Sequence, residues 1–321
     1  MNRIKRNLAL ALSFAVAVYL VLAVYSGLGD FESALGRFRW PLLPAILGLV
    51  LLSYVGRFVR WRYYLGVIGV EVPLAANVAI FASGLSMAIS PGKLGEVLKS
   101  AFIRQVNGTP IARTAPAVVA ERATDGTGMV LWGLLGALSF SFGPEVLLLF
   151  LAAAIVGIAV LRSERLSLVA ERILSRLPLL DRLAPHVRVF HGASSELLGL
   201  RPLVAGTGIS FVSWGFECSA VYLCSVALGV HRPFLMVVFI FAVSSLVGVG
   251  SMLPGGIGAA EAGLTGMFDG LAGLPAGLAV ALTFLIRLAT LWFATLIGIV
   301  GLFVVRAFVG GEAGLSAARR R

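Results

Sequence analysis

The chain has 321 residues, of which 59% are hydrophobic and only 13% are charged, and its mean hydropathy is +0.98. A soluble domain carries about 25% charged residues, so this composition excludes a soluble globular protein and indicates an integral membrane protein. The formal net charge of +11 is therefore expected to reflect membrane orientation and not nucleic-acid binding.

Several chemistries are excluded by the residues themselves. Cys218 and Cys224 lie six residues apart in an apolar stretch, a spacing that suits neither a disulfide framework nor a zinc site. The three histidines lie in polar segments between apolar runs. Neither GxxxxGK[ST] nor GxGxxG occurs, which excludes a P-loop ATPase. We therefore expect no cofactor and no metal site.

Six apolar runs are long enough to cross a hydrocarbon core about 30 Å thick. They are 8–25, 41–60, 113–140, 145–162, 203–229 and 275–306. A cleaved signal peptide is the alternative interpretation of the first run. Two further apolar regions, 74–105 and 234–270, are each interrupted near the middle by Pro and Gly.

The basic residues predict the orientation, because Lys and Arg accumulate in cytoplasmic loops. With both termini in the cytoplasm, the inside loops, which include Arg57, Arg60 and Arg62, hold 18 of the 26 basic residues and the outside loops hold three. This arrangement requires that 74–105 return to its own side. We therefore predict a re-entrant hairpin from the cytoplasm at 74–105 and another from outside at 234–270.

The polar stretch 163–200 separates two apolar halves. Leu166, Val169, Ile173 and Leu177 recur at intervals of three or four residues, which predicts an amphipathic helix on the inner surface. Prolines 178 and 185 are expected to end it. The stretch is interpreted as a cytoplasmic linker, and the alternative is a surface that senses lipid or docks a partner.

The two predicted hairpin tips resemble each other in sequence. Both read Pro-Gly-x-aliphatic-Gly and are followed by a glutamate, Glu96 or Glu261, and the glutamate of the second tip comes two residues later than that of the first. Together with the opposite orientations of the hairpins, this predicts inverted repeats over 41–140 and 203–306 within a single membrane domain, 1–321. The tip residues are Pro91, Gly92, Gly95, Pro254, Gly255, Gly256 and Gly258.

A Pro-Gly pair must break a helix, and the helix that starts after it directs its N–H groups and its positive dipole end at the tip. Such an end binds anions, and Lys93 would add positive charge. Five cations and five carboxylates are predicted within the membrane segments. They are Lys93, Lys99, Arg104, Arg122 and Arg287, with Glu96, Glu121, Asp125, Glu217 and Glu261.

Each of these charges would cost about 2.5–3.5 kcal/mol at a lipid-facing helix centre, so they must pair or line a hydrated cavity. One interpretation is a set of structural ion pairs, favoured most for Glu217 and Arg104. The other is a cavity for an anionic headgroup, in which cations contact phosphate and carboxylates orient them or carry protons. If the span boundaries are wrong, Lys99 and Arg104 are the residues most affected.

The ordered set of motifs is similar to the flippase-like membrane family that includes the transmembrane domain of lysylphosphatidylglycerol synthases. The resemblance rests on the first tip with Glu96, on Glu121-Arg122-x-x-Asp125, and on the second tip with Glu261 and Arg287. It implies an all-α polytopic protein that translocates aminoacylated phospholipids, isoprenoid-phosphate-linked sugars or related lipids. The expected location is a bacterial or archaeal cytoplasmic (inner) membrane.

Three functions are compatible with these features. The first is a flippase for an anionic lipid, with substrate contacts at Lys93, Glu96, Lys99, Glu121, Arg122, Asp125, Glu261 and Arg287. The second is a membrane transferase with a carboxylate as general base, which lacks an accompanying nucleophile and metal, so we expect no enzyme. The third is a non-transporting scaffold or regulator of a lipid-synthesis enzyme that uses 163–200.

Overall fold

The computed structural model describes residues 16–22, 24, 27–90, 94–140, 145–175 and 184–318. Every regular element in these ranges is helical, which confirms the all-α prediction. Residues 16–22 are helical, within the first predicted span. Predicted tip residues Pro91, Gly92 and Lys93 lie outside the described residues.

Five of the six α-helices of the first half lie on predicted apolar runs, and three of them extend beyond the run, whereas the helix Leu28–Gly36 follows the first run and was not predicted. Two short 3-10 segments, Ser86–Ile89 and Leu94–Val97, lie on either side of the undescribed residues 91–93. The α-helices are α1 Leu28–Gly36, α2 Leu43–Val67, α3 Leu74–Leu85, α4 Leu98–Asn107, α5 Ile111–Phe140 and α6 Glu145–Arg162.

The second half repeats this order of elements after two helices of the polar stretch. A π-helical segment, Leu288–Trp292, joins its last two helices. The α-helices are α7 Glu164–Ser175, α8 Ala184–Leu197, α9 Leu200–Ala227, α10 Phe234–Gly250, α11 Ala259–Gly270, α12 Ala276–Arg287 and α13 Phe293–Ala318.

Three continuous segments of the described chain are long and apolar enough to cross a membrane, namely Trp40–Val67, Leu200–Ala227 and Ala276–Phe308. Helix α6 joins α7 in a bent pair that would make a fourth. Most of the predicted first span lies outside the described residues. The chain is therefore a helical membrane protein, and the structure does not establish the predicted count of six spans.

In the first predicted hairpin the chain leaves the helix at Ser90, whose backbone is extended, and the second predicted hairpin contains a helix break at its predicted tip. In the second hairpin, α10 ends at Gly250 and α11 begins at Ala259, with Gly256 between them at φ 64°. A Cβ at Gly256 would lie 3.0 Å from the backbone of Gly248. Only glycine fits this turn, because it combines a positive φ with close backbone contact.

The polar stretch differs from its prediction. Pro185 does not end a helix but lies in the first turn of α8, where proline is tolerated because no intrahelical N–H bond is lost. Pro178 lies outside the described residues. Helix α8 packs on α5 and buries Ala193 and Leu197, so this part of the stretch belongs to the bundle.

Regions 41–140 and 203–306 use the same turns. Gly69 and Gly229 have φ of 65° and 79°, and each is followed four residues later by a proline that precedes the next helix. Further along, Gly108 and Gly273 have φ of 78° and 61°, and in each region a proline two residues later precedes the following helix.

The packing of the two regions is reciprocal. Helix α2 packs on its counterpart α9, α3 packs on α13, and α10 packs on α5. Glycines allow the backbones to approach closely, as small residues do between membrane helices. A Cβ at Gly136 would lie 2.6 Å from the Leu235 carbonyl oxygen, and a Cβ at Gly301 would lie 2.5 Å from the Ser83 nitrogen.

Candidate functional site

The candidate site contains five cations and five carboxylates, which lie on long helices and beside the two breaks. They are Arg57, Arg60, Lys99, Arg122 and Arg287, with Glu96, Glu121, Asp125, Glu217 and Glu261. Arg57 stands 14 residues after the first residue of α2 and 10 before its last, which places it about 15 Å from the nearer end at 1.5 Å per residue. Glu217 lies at a similar depth in α9. These charges are therefore central in the apolar helices.

Asp125 of α5 is held by several donors. Arg60 donates to its Oδ1 at 2.7 Å and Arg122 lies 3.0 Å from its Oδ2. Ser210 and Trp214 of α9 donate to Oδ1 at 3.1 and 3.2 Å. These contacts join α2, α5 and α9 around one carboxylate.

Each broken hairpin is paired with the long helix that follows it. Arg122 Nη2 donates to Glu96 Oε2 at 3.1 Å, and Arg287 Nε donates to Glu261 Oε1 at 2.7 Å. Both pairs join residues 26 positions apart. Although Glu261 follows its tip by two residues more than Glu96 does, the two glutamates form equivalent salt bridges, one with Arg287 and the other with Arg122.

Arg287 also contacts the second tip directly. Its Nη2 donates to the carbonyl oxygen of Gly255 at 2.7 Å. Glu261 accepts a hydrogen bond from the Gly258 N–H at 2.7 Å and another from the Tyr19 hydroxyl at 3.2 Å. The ion pair therefore also partners backbone groups that the break leaves outside the helix ladder.

The prediction that Arg57 and Arg60 lie in a cytoplasmic loop was wrong. Both are within α2, because the helix continues to Val67. Arg57 pairs with Glu217, and Arg60 is 0% exposed against Asp125. The arginines can lie inside the bundle because carboxylates of α5 and α9 neutralise them. They therefore no longer count among the basic residues of the cytoplasmic loops.

Arg57 is further held by aromatic rings. Its guanidinium carbon lies 4.3 Å from the ring centroid of Trp214 and 5.7 Å from that of Tyr54. Ser53 donates to Glu217 at 3.1 Å. The pair is thus enclosed by polar and aromatic groups of α2 and α9, which suits a desolvated arginine.

A cavity of about 210 Å³ lies where the two breaks meet. The breaks approach each other closely, since a Cβ at Gly255 would lie 3.4 Å from the Ile89 Cα. Ser90 and Gly256 line the cavity at the tips. Its charged lining consists of Arg57, Arg122, Arg287, Glu96, Asp125 and Glu217.

The structure thus brings together most of the predicted residues. Glu96, Arg122, Asp125 and Arg287 line the cavity, and so do the second-tip residues Gly255 and Gly256. Lys99 and Glu261 lie directly behind them, in contact with Glu96 and Arg287, which line the cavity. Glu121 lies one step further back, against Arg60 and Lys99. Gly95 packs on Ser90, and Pro254 and Gly258 lie in the second break.

Arg104 is the exception among the described cations. It lies exposed in the last turn of α4 and does not line the cavity, so the structure does not bring it into the site. A helix C-terminus is a favourable site for a cation exposed to solvent. Lys99, one turn earlier in the same helix, is 2% exposed.

Three charged residues of the site were missed or undervalued by sequence reasoning. Arg57 and Arg60 were assigned to a loop, and Glu217 was favoured as a structural residue. The signal that could have found them is the spacing, since Arg57 and Glu217 occupy the same distance before the Gly69 and Gly229 turns. Equivalent positions with opposite charges are suited to pair.

Sequence similarity places the chain in a known protein family. Residues 8–298 match the family described as lysylphosphatidylglycerol synthase TM region. The chain belongs to this family, which confirms the resemblance found in the sequence. The match covers both broken hairpins and all ten paired charges.

Individual relatives align over nearly their whole length. A UPF0104 membrane protein of Methanothermobacter thermautotrophicus is 27% identical over 316 aligned positions, covering 89% of this chain and 90% of the relative. A UPF0104 membrane protein of Pyrococcus horikoshii is 27% identical over 330 aligned positions, covering 92% and 96%. Their names describe them only as membrane proteins.

Proposed function

We propose that this protein is a translocase that moves an anionic lipid, such as an aminoacylated phospholipid or an isoprenoid-phosphate-linked sugar, between the leaflets. It does so without chemical change to the lipid. The observation that carries the proposal is the cavity between the two helix breaks, lined by three arginines and three carboxylates inside an apolar bundle. Charge placed at such depth lines a pathway far more often than it faces lipid.

The cavity suits a headgroup and not a whole lipid. Its volume of about 210 Å³ is below the roughly 300–1,000 Å³ of drug-sized pockets, so the acyl chains would remain among the outer helices. The Arg122 side chain lines this cavity and is 29% exposed. A phosphate oxygen can therefore contact its planar guanidinium, a group that favours phosphate.

The proposed architecture is a pair of inverted repeats, 41–140 and 203–306, within one membrane domain. Arg122 and Arg287 are 165 positions apart, and so are their partners Glu96 and Glu261. Arg57 and Glu217 are 160 positions apart and pair with each other. A residue that pairs with its own counterpart lies near an axis relating the two halves.

Reciprocal hydrogen bonds support the same axis. The Tyr54 hydroxyl donates to the Thr290 carbonyl oxygen at 2.9 Å, and Trp214 Nε1 donates to Asp125 at 3.2 Å. Tyr54 and Trp214 are 160 positions apart, and Asp125 and Thr290 are 165 apart. Inverted repeats with broken helices at their interface are a transporter architecture.

Thiol labelling tests the orientation of the repeats, with both termini and 163–200 proposed to lie in the cytoplasm. Glu71 and His231 are exposed at equivalent turns. In a chain whose buried cysteines are replaced by Ala, Glu71→Cys should react with an impermeant maleimide only from the cytoplasmic side, and His231→Cys only from outside. Labelling of both from one side would contradict the inverted arrangement.

A leaflet-reduction assay tests translocation itself. Purified protein in phosphatidylcholine vesicles containing fluorescent phosphatidylglycerol should let external dithionite quench inner-leaflet label, because flipped lipid becomes exposed. In vesicles with the Glu96→Ala/Arg287→Ala double variant, dithionite should quench only the label in the outer leaflet. Arg113→Ala, which removes an exposed ion pair with Glu196, is the matched control. Equal rates for the wild type and the double variant would refute the proposal.

A further inference from the structure

A second set of charges lies behind the cavity and does not line it. Arg60, Lys99 and Glu121 are 0%, 2% and 1% exposed. Arg60 Nη2 lies 4.0 Å from Glu121 Oε1, and Lys99 Nζ donates to Glu121 Oε2 at 2.5 Å. We name these three residues the buried triad.

The second half of the chain has no such charges at the matching positions. Ala220 lies 160 positions after Arg60, and Leu264 and Ile286 lie 165 positions after Lys99 and Glu121. All three are buried. The same architecture therefore packs with small and apolar residues in these places, so packing alone does not account for the triad.

Lys99 stands between two carboxylates. Its Nζ is 2.5 Å from Glu121 Oε2 and 3.6 Å from Glu96 Oε2. The surrounding walls are aromatic, with the Trp61 ring centroid 4.2 Å away and that of Phe81 5.4 Å away. A flexible lysine can exchange one carboxylate for the other, and Lys, unlike Arg, can gain or lose its proton in a protein.

Glu121 accepts fewer hydrogen bonds than Asp125 or Glu261. Asp125 accepts from Arg60, Ser210 and Trp214, and Glu261 accepts from Arg287, Gly258 and Tyr19. Among the described residues, the Glu121 side chain accepts one hydrogen bond, from Lys99. Glu121 therefore depends on one donor, and it loses that donor if Lys99 turns to Glu96.

The charged and titratable groups around Glu121 come from three elements. Arg60 and Tyr64 belong to α2, Lys99 belongs to α4, and Glu96 belongs to the segment before α4. Its own helix contributes Arg122 and Asp125. The charged groups of α8 and α9 that approach α5 pair elsewhere, since Glu196 binds Arg113 and Glu217 binds Arg57.

Building on the proposed translocation, we propose that Glu121 takes up one proton for each anionic headgroup that enters the cavity. A phosphate on Arg122 would displace Glu96, and the released carboxylate would take over the Lys99 ammonium at its other side. Glu121 then keeps only Arg60 at 4.0 Å and accepts a proton delivered from the cavity through Glu96. One negative charge and one proton enter together, so the site stays neutral.

Departure of the headgroup reverses these steps. Glu96 returns to Arg122, Lys99 returns to Glu121, and the proton leaves toward the side on which the lipid is released. Translocation of an anionic lipid is then driven by a transmembrane proton gradient. A lipid without net charge requires no such proton.

The test compares two labelled lipids in the same vesicles under an imposed pH gradient. In the wild type, acidifying the loading side should raise the initial rate for fluorescent phosphatidylglycerol by up to about tenfold per pH unit, as expected for one linked proton. The rate for fluorescent phosphatidylcholine should not change. In Glu121→Gln, phosphatidylglycerol movement should no longer respond to pH, whereas Glu196→Gln should behave as the wild type.

A trapped pH-sensitive dye gives a second readout that needs no variant. Wild-type vesicles should show proton movement on adding phosphatidylglycerol and none on adding phosphatidylcholine. Translocation without pH dependence or proton movement would overturn this inference and leave the translocase standing. Unchanged pH dependence in folded Glu121→Gln would also overturn it. No movement of any lipid by the wild type would refute the translocase itself.

Discussion

Regions 41–140 and 203–306 share a scaffold and differ in charge. Both contain a long helix, a glycine turn, a helix broken at its middle, a Gly-x-Pro turn and a second long helix. The second region contributes three charges to the site, Glu217, Glu261 and Arg287. The first contributes seven, Arg57, Arg60, Glu96, Lys99, Glu121, Arg122 and Asp125.

This difference separates the charges that both regions share from those found in the first region alone. The hairpin salt bridges Glu96–Arg122 and Glu261–Arg287 occur in both regions, so they belong to the common scaffold of a broken hairpin. The buried triad occurs only in the first region. Under the proposed equivalence of the two regions, buried Ala220, Leu264 and Ile286 occupy the matching positions, and for this reason we assign the triad a use beyond the scaffold.

The largest expected effect on stability comes from the salt bridge between Arg57 and Glu217, which occupy equivalent positions in the two regions. Arg57→Glu would place two carboxylates together without a cation and should destabilise the fold by about 3–5 kcal/mol, the cost of breaking a buried pair. The double variant Arg57→Glu/Glu217→Arg should recover most of this loss, because the two positions face each other across the proposed axis. Thermal unfolding in detergent measures both.

The control for the charge swap is an exposed pair. Arg113→Glu/Glu196→Arg reverses the bridge between α5 and α8 and should alter stability by less than about 1 kcal/mol at each step. A swapped 57/217 pair that stays as unstable as Arg57→Glu alone would contradict the equivalence of the two positions.

The second effect concerns the two equivalent arginines. Arg122→Ala and Arg287→Ala should each lower the rate of phosphatidylglycerol movement by roughly tenfold to a hundredfold, because a hydrogen bond to a charged group contributes about 1.5–3 kcal/mol. The side chain of Arg122 is 29% exposed and that of Arg287 12%, so Arg122 should bind the headgroup more directly. The dithionite assay measures both rates.

Phosphate binding and hairpin support can be separated at these positions. Arg122→Lys keeps the charge but loses the planar guanidinium, so transport should fall while the melting temperature stays near that of the wild type. Loss of folded Arg122→Lys protein, with normal transport by the folded fraction, would favour a purely structural role.

A smaller effect is expected where the halves pack on each other. Gly136→Leu and Gly301→Leu should each cost roughly 1–3 kcal/mol through overpacking, because both glycines face the backbone of the opposite hairpin. Gly208→Leu is the matched control, since no atom outside its own helix lies within 4 Å of a Cβ there. Equal melting temperatures for all three variants would contradict the reciprocal packing.

The smallest effect on stability should come from copying the second region into the first. In an Asp125→Thr background, the triple variant Arg60→Ala/Lys99→Leu/Glu121→Ile should be as stable as the wild type or more so. The four changes together remove two cations and two carboxylates, including the Asp125 partner of Arg60, and apolar replacement of a complete buried ion cluster is often neutral or stabilising. Glu121→Ala alone should be the less stable variant. A triple variant that fails to fold would show that the triad is part of the scaffold.

The sequence predicted the elements that follow from local chemistry. Pro-Gly and glycine-rich segments disrupt helices wherever they occur, and the break between Gly250 and Ala259 lies at the predicted tip. The prediction that these charges pair or line a hydrated cavity follows from the cost of unpaired charge in an apolar bundle, and the structure pairs Arg287 with Glu261. Both predictions need only neighbouring residues and the solvent that surrounds them.

The remaining features depend on contacts between distant helices. Arg60 was predicted to lie in a loop because its neutralising partner, Asp125, is 65 positions away, and a hydropathy window ends at an uncompensated arginine. The pair Arg57–Glu217 was hidden for the same reason. The docking of α8 on α5 also depends on tertiary packing, so Pro185 was misread as a helix end.

The most direct test of the central claim is a cryo-EM structure in nanodiscs that contain phosphatidylglycerol. The account predicts headgroup density in the cavity between the two breaks, with a phosphate in contact with Arg122 or Arg287. Lipid density confined to the outer surface of the bundle, with Glu96–Arg122 and Glu261–Arg287 intact around water alone, would contradict it.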